Sequence, residues 1–386
     1  MKFKFPLATS SWNSDELNAM KRVIDSGRFT MGEHVERFEA AFSQYIGSNF
    51  AVMSNSGSSA NLLMIAALFF VSNNPLKAGD EVIVPAVSWS TTYSPLLQYG
   101  LHLKFVDIDL ETLNYSLDDL ESAVSERTRL IMCVNLLGNP NEFSEIQRIA
   151  KSVGARIVED NCESLGAQYE GRKTGTFGVM GSFSSFFSHH ISTMEGGLTI
   201  TDDEELSQIM KCLRAHGWTR NLPKVNKICN TKSDDPFTES FRFVLPGYNL
   251  RPLELSGAIG LEQLKKLPTL IEERRQNGNL LTQKLTGHPE VLIQKEIGQS
   301  SWFGFSIVIR PDSSLTRQVL LSKLEKQGFE CRPIVAGNFA RNDVIKYYEA
   351  DVPDSMPNAD RIHDFGLFVG NHHYPLCDAI DALLRI

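Results

Sequence analysis

Six cysteines are spread over 386 residues without one C-x-x-C spacing. That argues against a zinc site or cluster motif and leaves the reduced thiols of a cytoplasmic protein as the expectation. Long hydrophobic runs are missing too. The longest, Leu62 to Val71, is far short of the roughly 20 residues that cross a bilayer, so a buried helix is expected and no membrane association. The opening MKFKFPLATSSW has neither the apolar stretch nor the small-residue cleavage pattern of a signal peptide. Positive charge is scarce as well: Lys+Arg 38 against Asp+Glu 46 gives a net charge of -8, which excludes a broad nucleic-acid surface and leaves anions to local pockets. With 42% hydrophobic and 22% charged residues, the chain is neither disordered nor a coiled coil.

What is present reads as α/β. Ser14 is expected to cap a first helix through Leu17, Met20 and Ile24, stopped by Gly27; Val35, Phe38, Phe42 and Tyr45 repeat at helical spacing up to Gly47. Short β-rich runs then alternate with helical stretches: Glu81 to Val84, Leu103 to Ile108, Leu130 to Val134, Arg156 to Val158 and Leu198 to Ile200. Runs apolar on both faces suit parallel strands covered by helices, and ligands of such sheets gather beyond the strands' carboxyl ends. Asn221 to Asp235 reads as an exposed polar loop, Pro252 to Leu267 as a helix. A second unit is expected near Ile271, with strands at Phe303 to Ile309 and Phe329 to Pro333 and a helix at Leu315 to Gln327.

Five segments carry candidate chemistry. Ser54 to Ala60 precedes an apolar helix, and free N–H groups there suit either a phosphate or a plain N-cap. Asp160 and Glu163 sit past the strand ending at Val158; a carboxylate there either holds a ring nitrogen protonated or caps a helix. Ser182 to Gly197 combines hydroxyls, the pair His189-His190 and a Gly-Gly pair. Trp89 after Pro85 is either core or a surface on which a flat ring stacks. In Gly247 to Pro252, Arg251 either grips a carboxylate with two hydrogen bonds or makes a surface salt bridge.

In order and spacing these segments resemble the sugar-nucleotide (DegT-like) aminotransferase family, vitamin B6 enzymes of the aspartate aminotransferase fold type (fold type I). The likeness runs from Ser26-Gly27 through Phe38-Glu39, Ser56-Gly57, Glu159-Asp160, Glu195-Gly196-Gly197 and His216-Gly217 to Tyr248-Asn249-Leu250-Arg251. It implies a mostly parallel central sheet in a large PLP-binding domain, residues 1–270, and a smaller C-terminal α+β domain, residues 271–386. It also implies that Gly57, Ser58 and Ser184 hold the phosphate of pyridoxal 5'-phosphate (PLP), Trp89 stacks on its ring, and Asp160 binds its pyridine nitrogen. Asn249 would reach the phosphate from a neighbouring subunit, so a homodimer with shared active sites is expected.

Two departures direct the functional expectation. Ordinary members carry a lysine six residues before the Glu of Glu-Gly-Gly, where it forms a Schiff base with the cofactor; here that position is His189, and no lysine occurs between Lys173 and Lys211. Glu163 stands where many relatives have glutamine near the cofactor's phenolic oxygen. Histidine at the lysine position is similar to the sugar 3-dehydratase branch. An imidazole cannot tether the aldehyde stably but can move protons near neutrality. The resemblance, strengthened by Arg332 to Phe339, implies L-glutamate as amino donor, pyridoxamine 5'-phosphate as the aminated cofactor and GDP-4-keto-6-deoxy-D-mannose as substrate, in the route to colitose, with no iron-sulfur cluster and no metal. Arg251 and His216 are the expected carboxylate grips. The Gly27-Arg28-Phe29-Thr30 loop and Arg220 are expected at the nucleotide diphosphate or, equally, as solvated surface. A conventional sugar aminotransferase and a noncatalytic relative are the competing expectations.

Overall fold

In the computed structural model, which describes residues 3–386, the predicted alternation resolves into an eight-stranded sheet. Its first five strands in chain order are β1 (Phe50–Ser54), β2 (Glu81–Pro85), β3 (His102–Val106), β4 (Thr128–Val134) and β5 (Arg156–Asp160). Across the sheet the order is β1, Gly197–Thr201, Met180–Ser184, β5, β4, β2, β3 and Ala350–Asp351. All five expected strands of this sheet form. One differs in direction: Gly197–Thr201 is antiparallel to both neighbours, whereas the other pairings are parallel. The reason is the connection. Residues 185–196 hold no crossover helix, so the chain turns over the sheet's edge and returns with Gly197 beside Ser184.

Chain order passes from β2 to β3 on one side, then jumps back across β2 to β4. This reversal opens a crevice at the carboxyl ends of β2 and β4, the place where doubly wound sheets bind ligands.

Helices complete the layers. In α1 (Ser14–Ser26) the N-cap is Asn13 and not the expected Ser14: Asn13 accepts from Asp15 N–H, and Glu16 reaches back to Asn13 N at 2.8 Å. Gly27 and, after α2 (Glu33–Ile46), Gly47 are left-handed C-caps, as their positions predict. The apolar run beginning at Leu62 lies largely in α3 (Gly57–Ala67), which is covered almost throughout. No described helix is long and apolar enough to cross a membrane. The Asn221 to Asp235 loop carries a two-stranded hairpin, Val225–Asn226 with Asn230–Thr231. Such short strands, without a hydrophobic alternation, leave no periodic signal.

The helix predicted over Pro252 to Leu267 runs further, as Glu254–Leu285, with Pro268 inside. It packs on α1 and α2; Gly260 is required there, because a Cβ would stand 2.6 Å from the Phe38 ring. A second, antiparallel sheet has the order Val291–Ile293, Gly304–Ile309, Gly366–Gly370, Cys331–Arg332. The expected units 1–270 and 271–386 therefore share one continuous helix, and Ala350–Asp351 returns to the large sheet beside β3. Residues 1 and 2 lie outside the described residues.

One buried ion pair ties this frame together. Glu39 on α2 and Arg214 on the helix Glu204–Arg214 are joined in the interior, Glu39 also accepts from Met53 N–H at 2.7 Å, and Arg214 donates to Met53 O. Removing one partner leaves an uncompensated buried charge. Glu39→Ala is expected to lower unfolding stability by about 3–5 kcal/mol in urea titrations, against about 1 kcal/mol or less for Glu33→Ala on the exposed start of the same helix.

Candidate active site

Four strand ends meet over the crevice. After β1, the chain turns through Asn55-Ser56 into α3; Ser56 caps the helix by accepting from Ser59 N–H at 3.1 Å. Gly57 has to be glycine, since a Cβ would lie 2.7 Å from Cβ of Ser184 and 3.0 Å from Sγ of Cys162. The Gly196-Gly197 pair follows the same constraint: a Cβ on Gly197 would stand 2.2 Å from the carbonyl oxygen of Ser56. Close approach of these backbones sets the N-terminal turn of α3 against Ser184, leaving helix-start N–H groups and two hydroxyls facing one opening.

Asp160 closes β5 and is 6% exposed. Its carboxylate accepts from Asn61 Nδ2 at 2.8 Å, Thr92 Oγ1 at 2.8 Å and Cys162 N–H at 3.1 Å. The adjoining Glu159 faces the other way, caged by N–H groups of Gly175, Phe177 and Gly178. Burial raises it to about 6 against those hydrogen bonds, and its work is structural. Trp89, at the N-terminus of α4 (Ser90–Gln98), is 58% exposed, which removes the core alternative and leaves a bare indole face at the cavity mouth.

The loop 185–196 brings His189 over the same opening. Its ring is partly buried, 5.0 Å from the Phe303 ring and 5.9 Å from Phe186. Burial, then the Arg274 guanidinium, push its pKa down from the ordinary histidine value. Both effects favour the neutral ring, a proton acceptor, over the imidazolium. His190 is buried, with Nε2 donating to Ser301 O at 3.0 Å. Glu163 receives Leu137 N–H at 3.1 Å; burial, with the Asp160 carboxylate adding to it, nevertheless raises it to about 7.

Gly57, Ser58, Trp89, Asp160, Glu163, Ser184 and His189 thus line one cavity of about 750 Å³. The remaining predicted residues do not reach it within the chain. Gly27, Arg28, Phe29 and Thr30 form an exposed turn tied to the start of the long helix through Glu254 N–H to Phe29 O at 3.1 Å. Asn249 accepts from Arg251 Nε at 3.0 Å, His216 packs its ring 4.8 Å from Trp218, and Arg220 covers Trp218 at 4.3 Å. None of them lines the cavity, and the Asn249 segment is tied to the turn before α3 where Asn55 N–H bonds Leu250 O at 3.0 Å.

Sequence reasoning gave no role to Asn61 and Thr92, which clamp Asp160, or to Arg332, the one basic side chain besides His189 among the cavity's lining residues. Arg332 ends a two-residue strand far along the chain, so nothing local marks it. Among the described residues, no lysine lines the cavity. Lys173, the last before the lysine-free stretch, is occupied with Tyr45, donating to its carbonyl and standing 4.4 Å over its ring.

A doubly wound sheet with a phosphate-sized helix start, a buried carboxylate and an exposed indole around one opening defines the aminotransferase-like α/β class. The chain belongs to the DegT/DnrJ/EryC1/StrS aminotransferase family, whose model matches residues 11–376. It is 57% identical to GDP-4-keto-6-deoxy-D-mannose 3-dehydratase of Yersinia pseudotuberculosis, over 99% of this chain and 98% of that protein. It is similar to the crystal structure of GDP-4-keto-6-deoxymannose-3-dehydratase with a trapped PLP–glutamate geminal diamine, with a TM-score of 0.98, 56% identity and 99% of each chain covered. A histidine-to-asparagine mutant of such an enzyme with bound GDP-perosamine gives 0.97, with the same identity and coverage.

The elevated Glu163 has a consequence for stability. A carboxyl raised from 4.5 to about 7 by folding contributes stability below 4.5 that is lost as pH rises through 7. Between pH 5 and pH 8, cofactor-free protein is expected to lose roughly 2 kcal/mol that Glu163→Gln retains, the side chain being discounted for the open cavity beside it. Urea titrations at the two pH values measure this.

Proposed function

We propose that the chain is a PLP-dependent GDP-4-keto-6-deoxy-D-mannose 3-dehydratase, a lyase that removes the C3 hydroxyl of its sugar with L-glutamate as amino donor. The observation that carries the reading is His189 standing, with no lysine among the described lining residues, in the cavity that gathers Gly57, Ser58, Trp89, Asp160, Glu163 and Ser184. Near-full-length identity to proteins of that name supports it.

The residues present fit the cofactor. The α3 start with Ser58 and Ser184 would hold its phosphate, Asp160 its pyridine nitrogen, Trp89 its ring face and Glu163 its phenolic oxygen. When bound, PLP supplies an electron sink that makes carbon–hydrogen and carbon–oxygen bonds beside it labile. The chain's own residues do the rest. Asp160, fixed by three donors, would favour a protonated pyridine nitrogen beside it. His189 accepts the proton from the α-carbon of L-glutamate at a ring nitrogen; in the sugar half of the cycle it donates a proton to the departing C3 oxygen. Arg332 is the guanidinium placed to hold the donor's carboxylate inside this cavity. Net products are 2-oxoglutarate, ammonia and the 4-keto-3,6-dideoxy sugar.

The surface bearing Gly27 to Thr30, His216, Arg220, Asn249 and Arg251 completes the site of a second copy in this reading. Exposed Phe29, Val225, Phe237, Phe241, Phe243 and Leu253 gather on and around it. Such a surface needs covering, and a homodimer with shared sites covers it. Six unpaired cysteines suit the reducing cytoplasm.

Mixing the protein with PLP, L-glutamate and GDP-4-keto-6-deoxy-D-mannose should give, by mass spectrometry, a sugar lighter by one oxygen and equimolar ammonium; a product retaining nitrogen would make it a conventional aminotransferase. His189→Asn should bind PLP yet release 2-oxoglutarate at least about 100-fold more slowly. Near-normal release would move the proton carrier elsewhere. Sedimentation of the wild type should give twice the chain mass, and mixing His189→Asn with Asn249→Asp protomers should restore part of the activity each lacks alone.

A further inference from the structure

Arg274 is a cation buried in the molecule with no anion beside it. It lies on the long helix, 6% exposed, and none of the described carboxylates pairs with it. Its Nη1 donates to Phe303 O at 2.9 Å and Asn371 O at 2.7 Å, while Nε finds no acceptor. Burial lowers its pKa only to about 10, so it stays charged at neutrality. A lone buried guanidinium is costly to fold around and is not retained for stability alone.

What it grips is the wall of the cavity. Phe303 packs its ring against His189 at 5.0 Å and His190 at 5.8 Å. The segment before it is held from three sides. Ser301 N–H bonds Gly138 O at 2.9 Å, Phe303 N–H bonds Leu137 O at 2.9 Å, and Asn371 Nδ2 bonds Trp302 O at 2.8 Å. Trp302 is pinned with φ 47, a left-handed conformation that a bulky residue adopts only under such restraint. The carbonyl of Ser301 in turn fixes His190 as the Nε2–H tautomer, and no acceptor or donor meets its Nδ1.

We infer that Arg274 is a positioning residue for His189, setting the imidazole through the Phe303 carbonyl and placing an unneutralised positive charge behind the wall on which that ring packs. The inference rests on the reading of His189 as the proton carrier. Charged groups of both signs share the cavity with that ring, namely Glu195 from its own loop, Asp160 and Glu163 from β5 and the turn after it, and Glu330 and Arg332 around the short strand of the second sheet, while Arg274 of the long helix acts on His189 and His190 and Arg275 on His190. Of these, Arg274 is the one whose field acts on His189 beyond burial itself, and it also bears on His190, His372 and His373. A positive neighbour disfavours the imidazolium, so the base is ready before substrate arrives.

The test follows the His189 imidazole by nitrogen NMR, in the PLP-loaded and cofactor-free protein, for wild type, Arg274→Gln and Arg274→Lys. Gln keeps a donor for Phe303 O and drops the charge; Lys keeps the charge and gives up the planar fork. The His189 midpoint should lie below 6.5 in wild-type cofactor-free protein, rise by about one pH unit in Arg274→Gln and return towards wild type in Arg274→Lys. The acid limb of the kcat profile should move the same way. Equal midpoints in all three proteins, or equal rises in both variants, would overturn the inference. So would a wild-type midpoint at or above 6.5, a result that needs no variant to fold. If His189→Asn turned over normally, the function would be wrong while these midpoints still reported on Arg274.

Discussion

Everything the cavity can hold is registered against the buried carboxylate of Asp160. Three donors from three elements converge on it: an amide from α3, a hydroxyl from α4 and the backbone N–H two residues on. Each donor fixes a part of the wall, so the phosphate-sized helix start, the indole of Trp89 and the carboxylate cannot move independently. A buried carboxylate needs such partners, and with its oxygens fixed by them it is a suitable neighbour for a cationic ring nitrogen. The doubly wound sheet supplies the frame, because its switch point leaves only carboxyl ends and helix starts around one opening.

Against that fixed anion stands a base built by exclusion. The loop 185–196 carries histidine where the family's tether would be, and the lysines on either side of the lysine-free stretch lie outside the cavity. Burial and a positive neighbour lower the pKa of the imidazole. A tethered amine would spend its nucleophilicity on the cofactor, whereas a free imidazole has only protons to move, and proton movement at a departing oxygen turns nitrogen transfer into deoxygenation. Close packing enforces the arrangement: Gly57 and Gly197 tolerate no side chain, since any Cβ would collide with Ser184 or the Ser56 carbonyl.

Much of this was legible one residue at a time. Apolar runs marked the strands, the glycines after α1 and α2 marked their ends, and the spacing from His189 to Glu195 marked the missing lysine. Less legible were features whose signal is a direction or a distance. The antiparallel return at Gly197–Thr201 has the same apolar composition as its parallel neighbours. Arg332 and Arg274 belong to segments whose local pattern is ordinary; their importance comes from what faces them across the chain. The segment of Asn249 and Arg251 is similar. Its residues carry the family pattern, yet within one chain they do not line the cavity they were expected to serve.

The sequence by itself determined the class of fold, the histidine six residues before Glu195 and the lysine-free stretch around it, because hydrophobic periodicity and residue chemistry are properties of the chain before it folds. Tertiary structure alone decided that burial lowers the pKa of His189 and raises that of Glu163, and that the unpaired guanidinium of Arg274 stands behind the cavity wall. Those depend on burial and on charges brought together from distant segments, and electrostatic interaction is set by distance and local dielectric, which no linear order of residues contains.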